Sequence, residues 1–347
     1  MSILSDCRKG LIPNEIEVVA EREGISAERL RGSLAKGYAV VTSAKRGIQP
    51  MGIGEGLRKK FGTIVGSSTA DREIPPLIGK ARIAQKFGAS AVHDGSAAGD
   101  IEAIHNALLQ GIEIPVGFCQ SIRVAALCEH QGRNFLEVES EEFISLLEED
   151  AASGCELLLG PFSVTMDMVE KLSKANRLMP SPNKTGSLMV AWMRHTRREN
   201  PYIEYFDRVL AAARENDVIL SFVNGFRSGC IADAMDEVQV EEIRQMGPLV
   251  GQAQEAGVQV KAGGGGHVPL DKIPALFRIE REHVTAPIIS FGPQITDVSI
   301  AYDHVTAAVG QSYALMNGAD MILTITAAEH LALPTDEEVK LKGCSKS

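Results

Sequence analysis

VILSFVNG (218–225), VEEIRQMGPLVGQAQEAG (240–257) and VQVKAGG (258–264) follow one another as an apolar run, an amphipathic helical stretch and a second apolar run. Short continuous apolar runs bounded by glycine, with a helical period between them, mark parallel strands buried on both faces. The unit repeats in both directions. Further strands are expected at FGTIVGS (61–67), SAVHDGS (90–96), IPVGFCQS (114–121), ELLLGPF (156–162), PIISFGP (287–293) and ADMILTIT (319–326), with helical segments such as PYIEYFDRVLAAAREN between them. Eight alternations predict an α/β fold, a (βα)8 TIM-type barrel, because closure is the most economical way to bury every strand. A doubly wound open sheet is the alternative. RLMPSPNKTGS (177–187) reads as a further irregular strand, giving nine candidates for eight places.

Ahead of the repeat, NEIEVVAEREG and SAERLRGSLAKG read as helix, turn and helix, with Ser26 as a start signal. The expected organisation is a small helical N-terminal lobe (1–58), the barrel (59–339) and a short tail (340–347). Of 347 residues, 44% are apolar and 23% charged, which are ordinary globular values. Lys and Arg number 35 against 45 Asp and Glu, a net charge of −10, and no basic run points to nucleic acid. An anionic ligand would need a local cationic pocket. Six cysteines without a CxxC read as free thiols in a reducing compartment. The N-terminus has no signal-like apolar core and no run is long enough to span a membrane, so the expected location is the cytoplasm.

In a barrel the chemistry sits where strands end at their carboxyl side. The polar residues there are Ser67, Ser68, His93, Asp94, Ser96, Gln120, Ser121, Lys184, Asn224, Arg227, His267 and His330. His267 and His330 each follow a short apolar run, and two strand-end imidazoles can converge on one divalent ion, with water or another side chain completing the set. The alternative is that each bonds a neighbouring backbone group. Arg227, in a glycine-flanked turn, can grip a phosphate or carboxylate, or pair with Asp233 or Asp236. Lys184 is a second anion contact or a solvated loop charge. The GGGG run at 263–266 lets backbone come close to a ligand. His93 and Asp94 are candidates for proton transfer, although adjacent strand residues point to opposite sides. Asp303 and His304 open a helix, where Asp is a natural cap.

NGFRSGCIADAMDEVQ (224–239), AGVQVKAGGGGHVPLDKI (256–273), APIISFGPQITDVSIAYDHVTAAVG (286–310) and ITAAEHLALPTDEEVK (325–340) together resemble the phosphomethylpyrimidine synthase family, which includes a 5-hydroxybenzimidazole synthase branch. PMGIGEGLRKK (50–60), VHDGSAAGD (92–100) and IPVGFCQ (114–120) extend the resemblance over most of the chain. It implies a homodimeric barrel, a carbon–carbon lyase that rearranges aminoimidazole ribotide with S-adenosylmethionine and a [4Fe-4S] cluster. It also implies a metal, zinc by ligand type, on the histidines of the Gly-His-Val-Pro and Glu-His-Leu motifs, here His267 and His330.

The departures from the family pattern redirect the expectation. The family's cluster cysteines, C-x2-C-x4-C, have no counterpart before EEVKLKGCSKS, which offers Cys344 alone. No [4Fe-4S] cluster and no use of S-adenosylmethionine are therefore expected of this chain. Polar substrate contacts are also replaced: the Asn-Ala-Asn segment reads Gly62, Thr63, Ile64; a Met reads His93, a Tyr reads Ile122, and a His falls near Pro161. The Ser-Arg-Gly loop reads Asn183, Lys184, Thr185; Asp-Gly-Leu-Arg reads Asn224, Gly225, Phe226, Arg227; a Glu reads Gly263; and the Tyr after Ala-Pro is near Ile289. Losing buried partners at about 1–3 kcal/mol each argues against the family's substrate. The expected function is metal-dependent, non-radical chemistry on a phosphorylated or carboxylated heterocycle. His93 and Asp94 would move protons, with Ser96, Lys184, Asn224, Arg227 and Gly263 binding substrate. The alternatives are a radical synthase whose cluster domain lies elsewhere in the gene, and a non-catalytic paralogue that pairs with a full-length family member.

Overall fold

The computed structural model describes residues 2–344, with side chains to residue 340. Eight parallel strands form the barrel: β1 Lys60–Val65, β2 Ala91–Asp94, β3 Val116–Cys119, β4 Leu157–Gly160, β5 Ile219–Val223, β6 Val260–Gly263, β7 Ile289–Gln294 and β8 Met321–Leu323. They neighbour one another in the order β6-β5-β4-β3-β2-β1-β8-β7. A short segment, Gly265–His267, continues β6 past Gly264 and pairs with β7. That continuation, with a bridge between Ala262 and Ile288, closes the ring. Each of the eight expected runs overlaps one strand, with Lys60 and Gln294 lying just outside the expected bounds.

The ninth candidate is not a strand. Residues 177–183 run as irregular chain, and Lys184–Thr196 is a helix whose start is capped by the Asn183 side chain accepting from the Thr185 N–H. Prolines 180 and 182 deny this segment ladder donors, and the cap favours helix instead. The final helix, Asp336–Cys344, runs across the 339/340 boundary expected from sequence and brings Val339 against Ala84 and Ala89. The Cys344 side chain lies outside the described residues.

The amino end of the barrel is stoppered by the N-terminal lobe. Helices Ile3–Arg8, Asn14–Glu23 and Ala27–Ala35 share an apolar core, and a hairpin of Ala39–Val41 and Gly52–Gly54 follows them. From this hairpin Val40, Met51 and Ile53 pack with Ala91, Leu157, Ile219, Ile289 and Met321 at the starts of strands. Gln259, just before β6, bonds both the N–H and the carbonyl of Val41. The lobe thus covers the barrel interior at this end and leaves the carboxyl ends of the strands as its open face.

Gly263 shows why that end of β6 carries glycine. Its φ is +128°, and a Cβ there would lie 2.4 Å from the Ile289 carbonyl oxygen. Its space is filled by β7, so the quartet serves close strand approach and barrel closure. Gly263→Ala is expected to cost about 1–3 kcal/mol, read as a lowered midpoint in urea unfolding.

Candidate functional site

His267 and His330 meet at the open end. Their ring centres are 5.2 Å apart with planes inclined by 63°. They converge because the Gly265–His267 segment pairs with β7, and β7 pairs with β8, whose following loop carries His330. Each imidazole has a carboxylate behind it: His267 Nδ1 lies 2.8 Å from Asp297 Oδ1, and His330 Nδ1 lies 3.0 Å from Asp303 Oδ1. A carboxylate that accepts from Nδ1–H leaves Nε2, in the neutral ring, with its lone pair. Burial pushes the His267 pKa below the usual imidazole value, with Asp297 opposing and the nearby His330 and Arg227 adding to the shift. The ring is neutral at pH 7.

This arrangement fits a divalent ion. Carboxylate-backed imidazoles are the usual outer support of metal-binding histidines. With metal–nitrogen bonds of about 2.0 Å and tetrahedral angles, two imidazoles on one ion stand roughly 5 Å apart between ring centres. Among the described residues no group of three or more His, Cys, Asp or Glu surrounds the pair. Water or ligand oxygen would fill the other positions.

A cavity of about 270 Å³ adjoins the histidines, lined in part by Arg227, Phe291, Gln294 and Thr326. The Arg227 guanidinium lies over the Phe291 ring, 5.6 Å from its centre, and its enclosed Nε has no hydrogen-bond partner. Neither expected intramolecular partner reaches it. Asp236 binds Arg177 at 2.7 Å, and Asp233 accepts from the Leu178 and Met179 N–H groups. Glu242, fully buried, holds the turn by accepting from the Gly225 and Phe226 N–H groups. Burial raises its pKa to about 7 despite those bonds. A guanidinium that faces a cavity and forms no salt bridge among the described residues, Glu329 attracting it only from longer range, is suited to an anion.

The other expected site residues divide. His93 points into the barrel, fully buried, and both of its ring nitrogens lack partners. Asp94 points the opposite way, into a polar network beneath the helices. Its Oδ1 accepts from the Ser96 hydroxyl at 2.6 Å, and its Oδ2 is 3.1 Å from His105 Nε2. His105 stacks on Phe118 and reaches Asp150 through Nδ1 at 3.3 Å. Ser96 is used up here, since its oxygen also accepts from the Ser67 N–H. Lys184 is exposed at the start of its helix and forms no ion pair among the described residues. Asn224 is buried, its carbonyl bonded to the Asn183 side chain and its own Oδ1 without a partner. Asp297, Asp303 and His105 were not among the sequence candidates. Asp303, expected as a helix cap, makes no capping bond and turns its carboxylate to His330 instead.

Burial alone would disfavour charge on His105, but bonds to Asp150 and Asp94 outweigh it and raise its pKa to about 9. Against an unfolded value near 6.5, this group adds stability in full below about pH 6.5. The contribution is lost as pH rises through 9. Thermal midpoints are expected to fall between pH 7 and pH 9.5, and to fall less in His105→Asn.

The described thiols do not suit an iron–sulfur cluster. Cys7, Cys119, Cys128 and Cys155 are buried and Cys230 partly so; they stand on separate elements, and no three come together. No helix among the described residues is long and apolar enough to cross a membrane.

Residues 2–345 match the model of the radical SAM ThiC family. Phosphomethylpyrimidine synthase of Thermococcus kodakarensis is 36% identical over 343 residues, covering 98% of this chain and 80% of that protein. The enzyme of the same name from Desulfitobacterium hafniense is 38% identical, covering 98% and 79%. The 5-hydroxybenzimidazole synthase BzaA of Moorella thermoacetica is 37% identical, with the same coverage. Match and identity over this span place the chain in the radical SAM ThiC family.

Proposed function

We propose that this barrel is a metal-dependent enzyme that binds a phosphorylated or carboxylated heterocycle at its open end and acts on it by non-radical chemistry. The observation that carries the reading is Arg227, a guanidinium held over Phe291 with no salt bridge among the described residues and only the longer-range attraction of Glu329, in the cavity that also holds the two histidines. Its five donors would bind the anionic group, and the turn fixed by Glu242 would keep them aimed. His267 and His330 would hold zinc through Nε2, while Asp297 and Asp303 keep the protons on Nδ1. A bound divalent ion supplies Lewis-acid polarisation or a water of lowered pKa. Asp94 has both oxygens engaged, so proton transfer is not given to it.

Mass spectrometry of small molecules released from native protein tests this reading. An anionic heterocycle is expected from the wild type. Arg227→Met keeps the packing but loses charged hydrogen bonds of about 1.5–3 kcal/mol. Recovery should then fall at least about ten-fold by the affinity relation, and equal recovery from both would contradict the reading.

The family match favours a second reading, the radical SAM chemistry for which the family is named. The described thiols do not fit its cluster. Reductive cleavage of S-adenosylmethionine by protein reconstituted with iron and sulfide would support it.

Self-association belongs to the same proposal. Tyr302, Val305, Val309 and Met316 expose an apolar stripe on and beside the helix Asp303–Asn317, next to the site. A face of this kind is suited to a second copy. Sedimentation should give a dimer, and Val309→Glu with Met316→Glu a monomer.

A further inference from the structure

Beneath the cavity, two polar side chains approach from opposite walls of the barrel. Lys261, on β6, is fully buried, and its Nζ reaches Met321 Sδ on β8 at 3.7 Å. His93, on β2, is equally buried with both ring nitrogens unpartnered. Ser221, beside Lys261 in the β5–β6 register, has an unpartnered hydroxyl as well. Buried polar groups left without partners cost about 1–3 kcal/mol each, and barrel packing alone does not call for them.

Glycines on the neighbouring strands make the room that the His93 ring and the Met321 and Leu323 side chains fill. A Cβ on Gly117 would lie 2.4 Å from His93 Nδ1, and one on Gly62 would lie 3.3 Å from His93 Nε2. The same point at Gly62 is 2.7 Å from Met321 Cε and 2.4 Å from Leu323 Cδ2. Leu323 lines the cavity that holds Arg227. His93 and the thioether touched by Lys261 thus lie one side chain below the cavity floor.

We infer that Lys261 is a nucleophilic amine that condenses with the carbonyl group of a small aldehyde or ketone entering from the cavity, with His93 carrying protons. Burial lowers the Lys261 pKa to about 7, so much of it is free amine at neutral pH. Burial, helped by the charge of Lys261, holds His93 well below the usual imidazole value, so the ring is a neutral proton carrier. Desolvation of this kind activates lysines that form imines. The Nζ lone pair would form a bond to the carbonyl carbon while the C=O π pair moves to oxygen. His93 would pass a proton from nitrogen to that oxygen. Loss of the hydroxyl with the second nitrogen proton, as water, leaves the C=N bond. Amine and carbonyl balance imine and water, and neither oxidant nor reductant takes part.

The test is trapping with glyoxylate and sodium cyanoborohydride at pH 7, followed by peptide mapping. Lys261 is expected to be alkylated at least about ten-fold faster than any exposed lysine, whose ordinary pKa near 10.4 keeps it protonated. His93→Gln should slow labelling of Lys261 about ten-fold with an unchanged circular dichroism spectrum, as loss of a general acid–base group does. Labelling of exposed lysines with none at Lys261 would overturn the inference, and an unslowed His93→Gln would remove His93 from it. Lys261→Met controls the mass assignment, and the wild-type map decides the question should that variant not fold. Neither residue belongs to the metal or anion set, so failure here leaves the function proposed above standing.

Discussion

Asp150→Asn is expected to lower the unfolding free energy by about 3–5 kcal/mol, the cost of breaking a buried ion pair from one side. Asp150 is buried on the helix Ser140–Ala152. Its Oδ1 lies 2.9 Å from Arg123 Nη1 and 3.3 Å from His105 Nδ1, and its Oδ2 accepts from Gln120 at 2.8 Å. An amide of the same shape leaves Arg123 with Glu149, which is largely exposed, and leaves His105 with Asp94 alone. The pKa of His105 should then drop from about 9 towards the ordinary value. Urea unfolding at pH 7 measures the first effect and NMR titration of the imidazole the second. A loss below about 1 kcal/mol would fall in the range of exposed pairs and show the network to be solvated.

Asp303→Asn is expected to weaken zinc binding about 10–100-fold, the usual effect of removing a carboxylate behind a ligating histidine. Asp303 is buried, its Oδ1 on His330 and its Oδ2 unpartnered. Its burial is balanced by no arginine or lysine ion pair among the described residues. Folding stability should therefore stay within about 1 kcal/mol of wild type, in the range of a surface change, while affinity falls. A purely structural aspartate would show the reverse, lost stability with unchanged affinity. His330→Ala and His267→Ala should each abolish tight binding, because one imidazole and water cannot hold the ion. Competition against a chromogenic chelator gives the affinities.

The barrel was legible because its strands are covered on both faces and read as continuous apolar runs such as ELLLGPF and VILSFVNG. The same property hid Lys261. In a half-exposed strand its side of the alternation would have been recognisable, but inside VQVKAGG both faces are buried and period two carries no signal. The opposite orientations of His93 and Asp94 follow from that period once the strand is placed. Arg227 stood out through its glycine-flanked turn. Asp297 and Asp303 did not, because they lie on the loop after β7 and at the start of the next helix, whose path no hydrophobic periodicity sets. The segment 177–187 was misread since its few apolar residues resemble a strand, while the Asn183 cap that starts a helix acts through one side-chain bond.

X-ray absorption at the zinc edge of metal-loaded protein tests the central claim most directly. Two imidazole nitrogens at about 2.0 Å with oxygen completing the shell is the expected coordination, falling to one imidazole in His267→Ala. A shell containing sulfur, or one unchanged in that variant, would place the ion elsewhere and contradict a metal site on His267 and His330.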